Sequence, residues 1–390
     1  METFTFDTTE KVLLAVTGAL FIIQVIYYFG LYNRIHLHSR AAARGNVHYA
    51  QGFPPISVII CAREESENLR RNLTAVLEQD YPQFEVIVIN DGDTDESEDH
   101  LTLLENKYPH LYHSFVPDSS RYISRKKLAV TLGIKASKYD WLVFTEANCL
   151  PQSKQWLKLL ARNFTSRTQV VLGYSGYERG KGWLHKRVAF DNLFNSMRYL
   201  GFALAGSPYM GIGRNLAYRK ELFYNHKGFS AHLNLQRGDD DLFINHVATA
   251  DNTRVETDAD SIVRIQPVRR TKDWREEKIG YASTARLYHG VQRWLCGFET
   301  FTRLAFHAGW LALLGIALFH FHWLAAGIAL FAGVLRFVIQ MVIINKTAKD
   351  LDDKRRYYWS LPIFDILQPI QSLRWKLYCL FRKKSGFLRR

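Results

Sequence analysis

Val12 to Tyr32 is a nearly unbroken apolar run of 21 residues, and it limits the possible folds before any other feature does. As a helix rising about 1.5 Å per residue it reaches across the roughly 30 Å hydrocarbon layer of a bilayer. A cleaved leader would be shorter and would end in a small-residue cleavage site, which this stretch lacks. Glu2, Asp7 and Glu10 precede it; from Leu31 to Arg63 there is no acid, while Arg34, Arg40 and Arg44 accumulate. Positive flanks stay on the cytoplasmic side of a span. Residues 1–11 are therefore expected outside, 12–32 across the membrane, and 33–54 as a basic juxtamembrane linker in the cytosol.

The far end of the chain carries the same signature. Leu304 to Ile344 is apolar except near His320 to Trp323, which reads as two spans joined by a tight turn within 304–344. Arg336 falls inside the second span, where a charge is tolerated only against protein, water or headgroups. His320 and His322 in the turn read as headgroup contacts rather than metal ligands. Trp359 to Phe381 is interrupted by Asp365, Gln368 and Gln371, so 357–381 is expected to lie in the interface, followed by a basic tail at 382–390. The formal charge of +14 thus gathers beside apolar segments. That points to an anionic membrane surface, and no interleaved basic-aromatic motif points to nucleic acid. Cys61, Cys149, Cys296 and Cys379 are dispersed, which argues against a zinc site or a disulfide framework.

Between these ends, residues 55–290 alternate short apolar strands with amphipathic helices, the pattern of an α/β sheet. Strands are expected at Ile56–Cys61, Val86–Ile89, Leu111–Val116, Trp141–Thr145, Val170–Tyr174 and Ser261–Ile265. Helices are expected over Glu67–Gln79, after Ser97, over Lys126–Ala136, after Ser153, over Trp183–Leu204 and Leu242–Ala248, and through Trp274, Ile279 and Tyr281. Three strand ends and one helix start carry carboxylates: Glu64 and Glu65, Asp91, Glu146, and Asp239 to Asp241. Ligands of open α/β sheets bind beyond the carboxyl ends of strands. Basic groups lie between these acids at Lys126, Lys127, Arg214, Arg269 and Arg270. The combination suits a ligand with a pyrophosphate and hydroxyl-rich ends.

Six segments in this order resemble glycosyltransferase family 2, whose fold is GT-A, a Rossmann-like nucleotide-sugar-binding sheet. They are Ser57-Val-Ile-Ile-Cys-Ala-Arg-Glu-Glu65, Val88-Ile-Asn-Asp-Gly-Asp-Thr-Asp95, Lys126-Lys-Leu-Ala-Val-Thr-Leu-Gly-Ile134, Phe144-Thr-Glu-Ala-Asn-Cys149, Gly211-Ile-Gly-Arg-Asn-Leu-Ala-Tyr-Arg219 and Gly238-Asp-Asp-Asp-Leu-Phe243. The resemblance implies that Glu64 or Glu65 and Asp91 bind the nucleoside, with Lys126 and Lys127 beside the donor. Asp240 becomes the general base of an inverting transfer, with Asp239 next to it. Arg214, Asn215, Gln266, Arg269 and Arg270 fall on the acceptor or diphosphate side.

Two departures stand out. Glu146 and Asn148 replace the family's Asp-x-Asp pair, so a divalent cation, Mg²⁺ or Mn²⁺, is expected to be held weakly by Glu146 and Asn148. Gln266-Pro-Val-Arg269-Arg270 resembles the Gln-x-x-Arg-Trp motif of processive synthases, with Arg in place of the Trp that stacks on a growing chain. The expectation is a cytoplasmic-membrane enzyme moving a sugar from a nucleotide-sugar, UDP-linked by preference, to a lipid-linked or membrane-proximal acceptor in cell-envelope assembly. The alternatives are a processive polysaccharide synthase and a catalytically dead scaffold of the same fold.

Overall fold

The computed structural model describes residues 7–92, 95–117, 124–353 and 355–381. Asp93 and Thr94 of the second motif, Glu2 and the basic tail 382–390 lie outside the described residues.

Helix α1 (Thr8–Tyr27) passes through a π-helical turn, Tyr28–Tyr32, into α2 (Arg34–Ala43), giving one helix of 36 residues. The first part of the expected linker is therefore helical. Packing accounts for this: Ile35 is buried, Tyr32 meets Phe194 at 5.0 Å between ring centres, and His36 pairs with Asp350 at 2.6 Å.

The α/β domain follows as β1 (Ile56–Ala62), α3 (Ser66–Leu77), β2 (Phe84–Asn90), α4 (Asp95–Lys107), β3 (Leu111–Phe115), α5 (Arg125–Ala136), β4 (Trp141–Glu146), β5 (Cys149–Pro151), α6 (Trp156–Ala161), β6 (Val170–Leu172) and β7 (Ser175–Tyr177). It continues with α7 (Trp183–Leu204), β8 (Leu216–Arg219), α8 (Lys220–Asn225), α9 (Asp241–Val247), β9 (Thr253–Val255), β10 (Val263–Ile265) and α10 (Thr271–Thr284). Seven strands form the main sheet in the order β3-β2-β1-β4-β8-β6-β9, in which only β8 runs antiparallel to its neighbours. A smaller sheet, β5-β10-β7, continues from the Glu146–Asn148 turn.

Register positions the site. Cys61 of β1 lies opposite Ile89 of β2 and Glu146 of β4, so Asp91 and Glu146 flank the end of β1 on one sheet edge. The expected strand at Val170–Tyr174 stops at Leu172 in the main sheet, and Gly173 and Tyr174 lead from it to β7 of the smaller sheet. A Cβ on Gly173 would come within 2.5 Å of the Asn215 side chain. β8 and β9, with four and three residues, were too short to show a period and were not anticipated.

Among the described residues, three helices are long and apolar enough to cross a membrane: Thr8–Ala43, α11 (Gln292–Phe319) and α12 (Trp323–Asp350). The turn between α11 and α12 is tied to the start of α1 by His322 and Glu10 at 2.7 Å, so this histidine has a protein partner. Arg336 faces protein, donating to Asp365 at 2.7 Å and to Gln24 at 3.3 Å. Helix α13 (Leu361–Phe381) turns its polar residues inward: Asp365 also accepts from Gln340 at 2.6 Å, and Gln368 accepts from Arg303. Asp365 and Gln368, which interrupt the apolar run of the expected interfacial helix, bind the arginines of the spans, while Ile363, Ile370, Leu373 and Leu377 are exposed.

Candidate active site

Asp91 follows the last residue of β2 and is buried at 5% exposure. Its backbone N–H donates to Ala62 at 2.7 Å, locking the ends of β1 and β2 together, and its carboxylate accepts from Arg125 at the start of α5. Glu64 sits at φ +54°, a left-handed conformation that costs energy for a residue with a side chain and gathers at functional turns. Gly92 lies against it, with Glu64 N 3.3 Å from where a Cβ would be. Glu65 accepts from Asn68, and burial pushes its carboxyl above the ordinary range.

Lys126, on the first turn of α5, donates to Glu146 at 2.9 Å and pairs with Asp239 at 3.2 Å. Arg214, in the loop before β8, donates to the other Glu146 oxygen at 2.8 Å and pairs with Glu277 of α10 at 3.1 Å. Burial works against each charge, yet the opposite charges outweigh it. Lys126 is held well above its usual value, and Glu146 well below the usual carboxylate range. The resulting array, Asp239–Lys126–Glu146–Arg214–Glu277, alternates in sign across the cleft.

Gly238, at φ +102°, makes the turn that carries Asp239 and Asp240 into this cleft; a Cβ there would meet Leu242 at 2.5 Å. Asp240 accepts from Gly213 N–H at 2.9 Å, from Asp241 N–H at 2.8 Å and from the Tyr281 hydroxyl at 3.2 Å. Burial, then the neighbouring Asp239, raises its carboxyl above the ordinary value. Asp241 turns the other way: it is fully buried and accepts from Tyr288 at 2.7 Å and from Thr284.

A cavity of about 30 Å³ lies behind the array, beside Lys126, Glu146, Asp239 and Asp240. In front, an open groove of about 470 Å³ is lined by Glu64, Glu65, Asn148, Arg214, Gln266, Arg269 and Glu277, among others. A slightly larger recess of about 520 Å³ opens at the opposite sheet edge, between Gly52–Pro55 and Lys138–Trp141, and none of the expected site residues lines it.

Three expected residues stand elsewhere. The Lys127 ammonium donates to the carbonyls of His232 and Leu235, and burial lowers it to about 8, so it ties a loop rather than facing Glu146. Asn215 is a buried strut, donating to the Tyr174 and Ser261 carbonyls at 2.8 and 2.9 Å and accepting from Trp156 at 3.0 Å. Arg270 is exposed and pairs with Asp273 at 3.3 Å. Residues passed over in the sequence are Arg125, Glu277 and Tyr281. The signal for two of them was available, because Glu277, Tyr281 and Thr284 lie four and three apart on one face of a helix.

The residues expected to hold a divalent cation do not fit one in this arrangement. Both Glu146 oxygens are taken by cations, and the Asn148 amide oxygen accepts from the Cys149 thiol at 3.2 Å. Among the described residues, no group of three or more His, Cys, Asp or Glu side chains could hold a metal ion. A divalent ion at Glu146 would have to displace Lys126 and Arg214 from its two oxygens.

A sheet of this order, with carboxylates and cations at the ends of β1, β2 and β4, defines a GT-A fold. Residues 57–226 match the model described as "Glycosyl transferase family 2", and this part of the chain is a family 2 glycosyltransferase domain. The chain is 31% identical over 110 residues to the glycosyltransferase AglE of Haloferax volcanii, a match covering 27% of this chain and 34% of that protein. The match thus spans about a third of the length of that curated relative. In fold, the chain is similar to the mannosyltransferase PcManGT of Pyrobaculum calidifontis, solved with GDP-Man and Mn²⁺. The TM-score is 0.56 at 16% identity, covering 95% of this chain and 99% of that one.

Proposed function

We propose that the protein is a membrane-anchored inverting glycosyltransferase that moves one sugar from a nucleotide-sugar donor to a lipid-linked or membrane-proximal acceptor. The observation that carries this reading is the convergence of Asp91, Glu146, Asp239 and Asp240 with Lys126 and Arg214 at one sheet edge. The solved GT-A protein of similar fold carries a nucleotide-sugar, GDP-Man, which supports a donor of that class. Asp91 and the Glu64–Glu65 turn face the nucleoside. The acceptor hydroxyl attacks the anomeric carbon, the bond to the diphosphate oxygen breaks, and Asp240 receives the hydroxyl proton. Negative charge growing on the leaving diphosphate is met by Lys126 and Arg214. The helices at both ends of the chain keep the acceptor side near the cytoplasmic membrane. Full-length protein in detergent should hydrolyse one nucleotide-sugar of a panel slowly without acceptor. Release of nucleoside diphosphate from none of them, with or without membrane-lipid extract, would refute the reading.

A further inference from the structure

The residue that stands where this family keeps its metal ligands is already fully engaged. Each Glu146 oxygen is held by a different cation on a different element, Lys126 on α5 and Arg214 before β8. Each cation has a second carboxylate behind it, Asp239 for Lys126 and Glu277 for Arg214. The Asn148 oxygen is occupied by Cys149. One end of the array, Arg214 and Glu277, lines the open groove, and the other end, Lys126, Glu146 and Asp239, lines the small cavity beside Asp240.

We infer that Glu146 is a latch for two diphosphate-binding cations and not a metal ligand. The inference rests on the nucleotide-sugar reading above. An entering diphosphate replaces Glu146 as the central partner of Lys126 and Arg214, while Asp239 and Glu277 keep both cations in place. Neither cation is left unpaired during the exchange. The planar guanidinium of Arg214 suits phosphate oxygens as well as it suits a carboxylate. Glu146, at 24% side-chain exposure, turns toward water when released. Donor binding thereby opens the way from the groove to Asp240.

The test is calorimetry of GDP and UDP binding to the full-length protein in nanodiscs, in chelator and in Mn²⁺, with resonance spectroscopy of Mn²⁺ added alone. The inference expects one of the two nucleotides to bind with Kd values within about threefold in both conditions, and no bound Mn²⁺ without nucleotide. Glu146→Gln should bind the diphosphate in chelator at least as tightly as the parent. Lys126→Met should bind it about ten- to a hundredfold more weakly, the value of a charged hydrogen bond. Binding that needs Mn²⁺ and is lost in Glu146→Gln would overturn the inference and leave the glycosyltransferase reading standing. Binding of neither nucleotide in either condition would overturn both. Should Glu146→Gln fail to fold, the Mn²⁺ dependence of the parent chain decides alone.

Discussion

Asp240 and Asp241 are adjacent in the chain and face opposite ways. Asp240 looks into the cleft, and three donors hold it. Asp240→Asn should lower transfer by roughly 10²–10⁴, the range for a lost general base, while diphosphate binding persists; near-normal turnover would move the assignment to Asp239. Because the Asp240 carboxyl is raised by burial, activity should fall on acidification at a pH above the ordinary carboxylate range. Tyr281→Phe removes a donor to the charged form, so that acidic limb should shift to still higher pH. Burial and Asp240 push Asp241 to about 7. Its folded value then exceeds its unfolded one, so the folded state binds the proton more tightly. Its stabilising contribution is complete below the ordinary carboxylate value and declines as pH rises toward 7. Thermal melts should show stability dropping over that window, and Asp241→Asn should flatten the drop. An unchanged slope in the variant would mean other groups set it.

At the scale of elements, α10 is the strap that closes the cleft. Glu277, Tyr281 and Thr284 bind Arg214, Asp240 and Asp241, and Trp274, one turn before Glu277, meets Trp375 of α13 edge-on at 5.2 Å. The site is thereby joined to the helix that holds the arginines of the spans. Asp365 sits at 1% exposure among Arg336, Arg303 and His307. Asp365→Leu leaves buried arginines without their carboxylate, a change that costs about 3–5 kcal/mol. The variant should melt well below the parent in detergent, and adding Arg336→Met should restore part of the loss. A double variant no more stable than the single one would show that the ion pair is not the cause.

For the whole molecule, the His322–Glu10 contact puts the start of α1 and the α11–α12 turn at one end of the helical bundle. The α/β domain lies at the other, where α2 meets α7 and Ser39 donates to Thr257 at 3.0 Å. With acid at the first end and arginines at the second, the N-terminus is expected outside and the sheet domain inside. A cysteine placed at the exposed Gln51 should react with an impermeant reagent only after the cells are opened. Labelling of intact cells beyond the parent's level would reverse the orientation.

What the sequence determined by itself was local. Uninterrupted apolar runs marked the long helices, because crossing a bilayer demands a continuous length of apolar side chains. Strands such as Val86–Ile89 leading to Asp91, and Trp141–Thr145 ending in Glu146, marked the sheet edge that gathers the candidate site residues. Pairing was decided only by the tertiary structure, because it joins segments far apart in the chain. Glu146 meets Arg214 across 68 positions, Asp240 meets Tyr281 across 41, and Arg336 meets Asp365 across 29. No periodicity or motif reports such distances. A carboxylate that looks like a metal ligand in the sequence is held in the folded chain by two cations, and polar residues that look like breaks in an interfacial helix are the partners of buried arginines. In each case the reason is the same: a charge taken out of water must find its opposite, and only the packed fold brings that partner close.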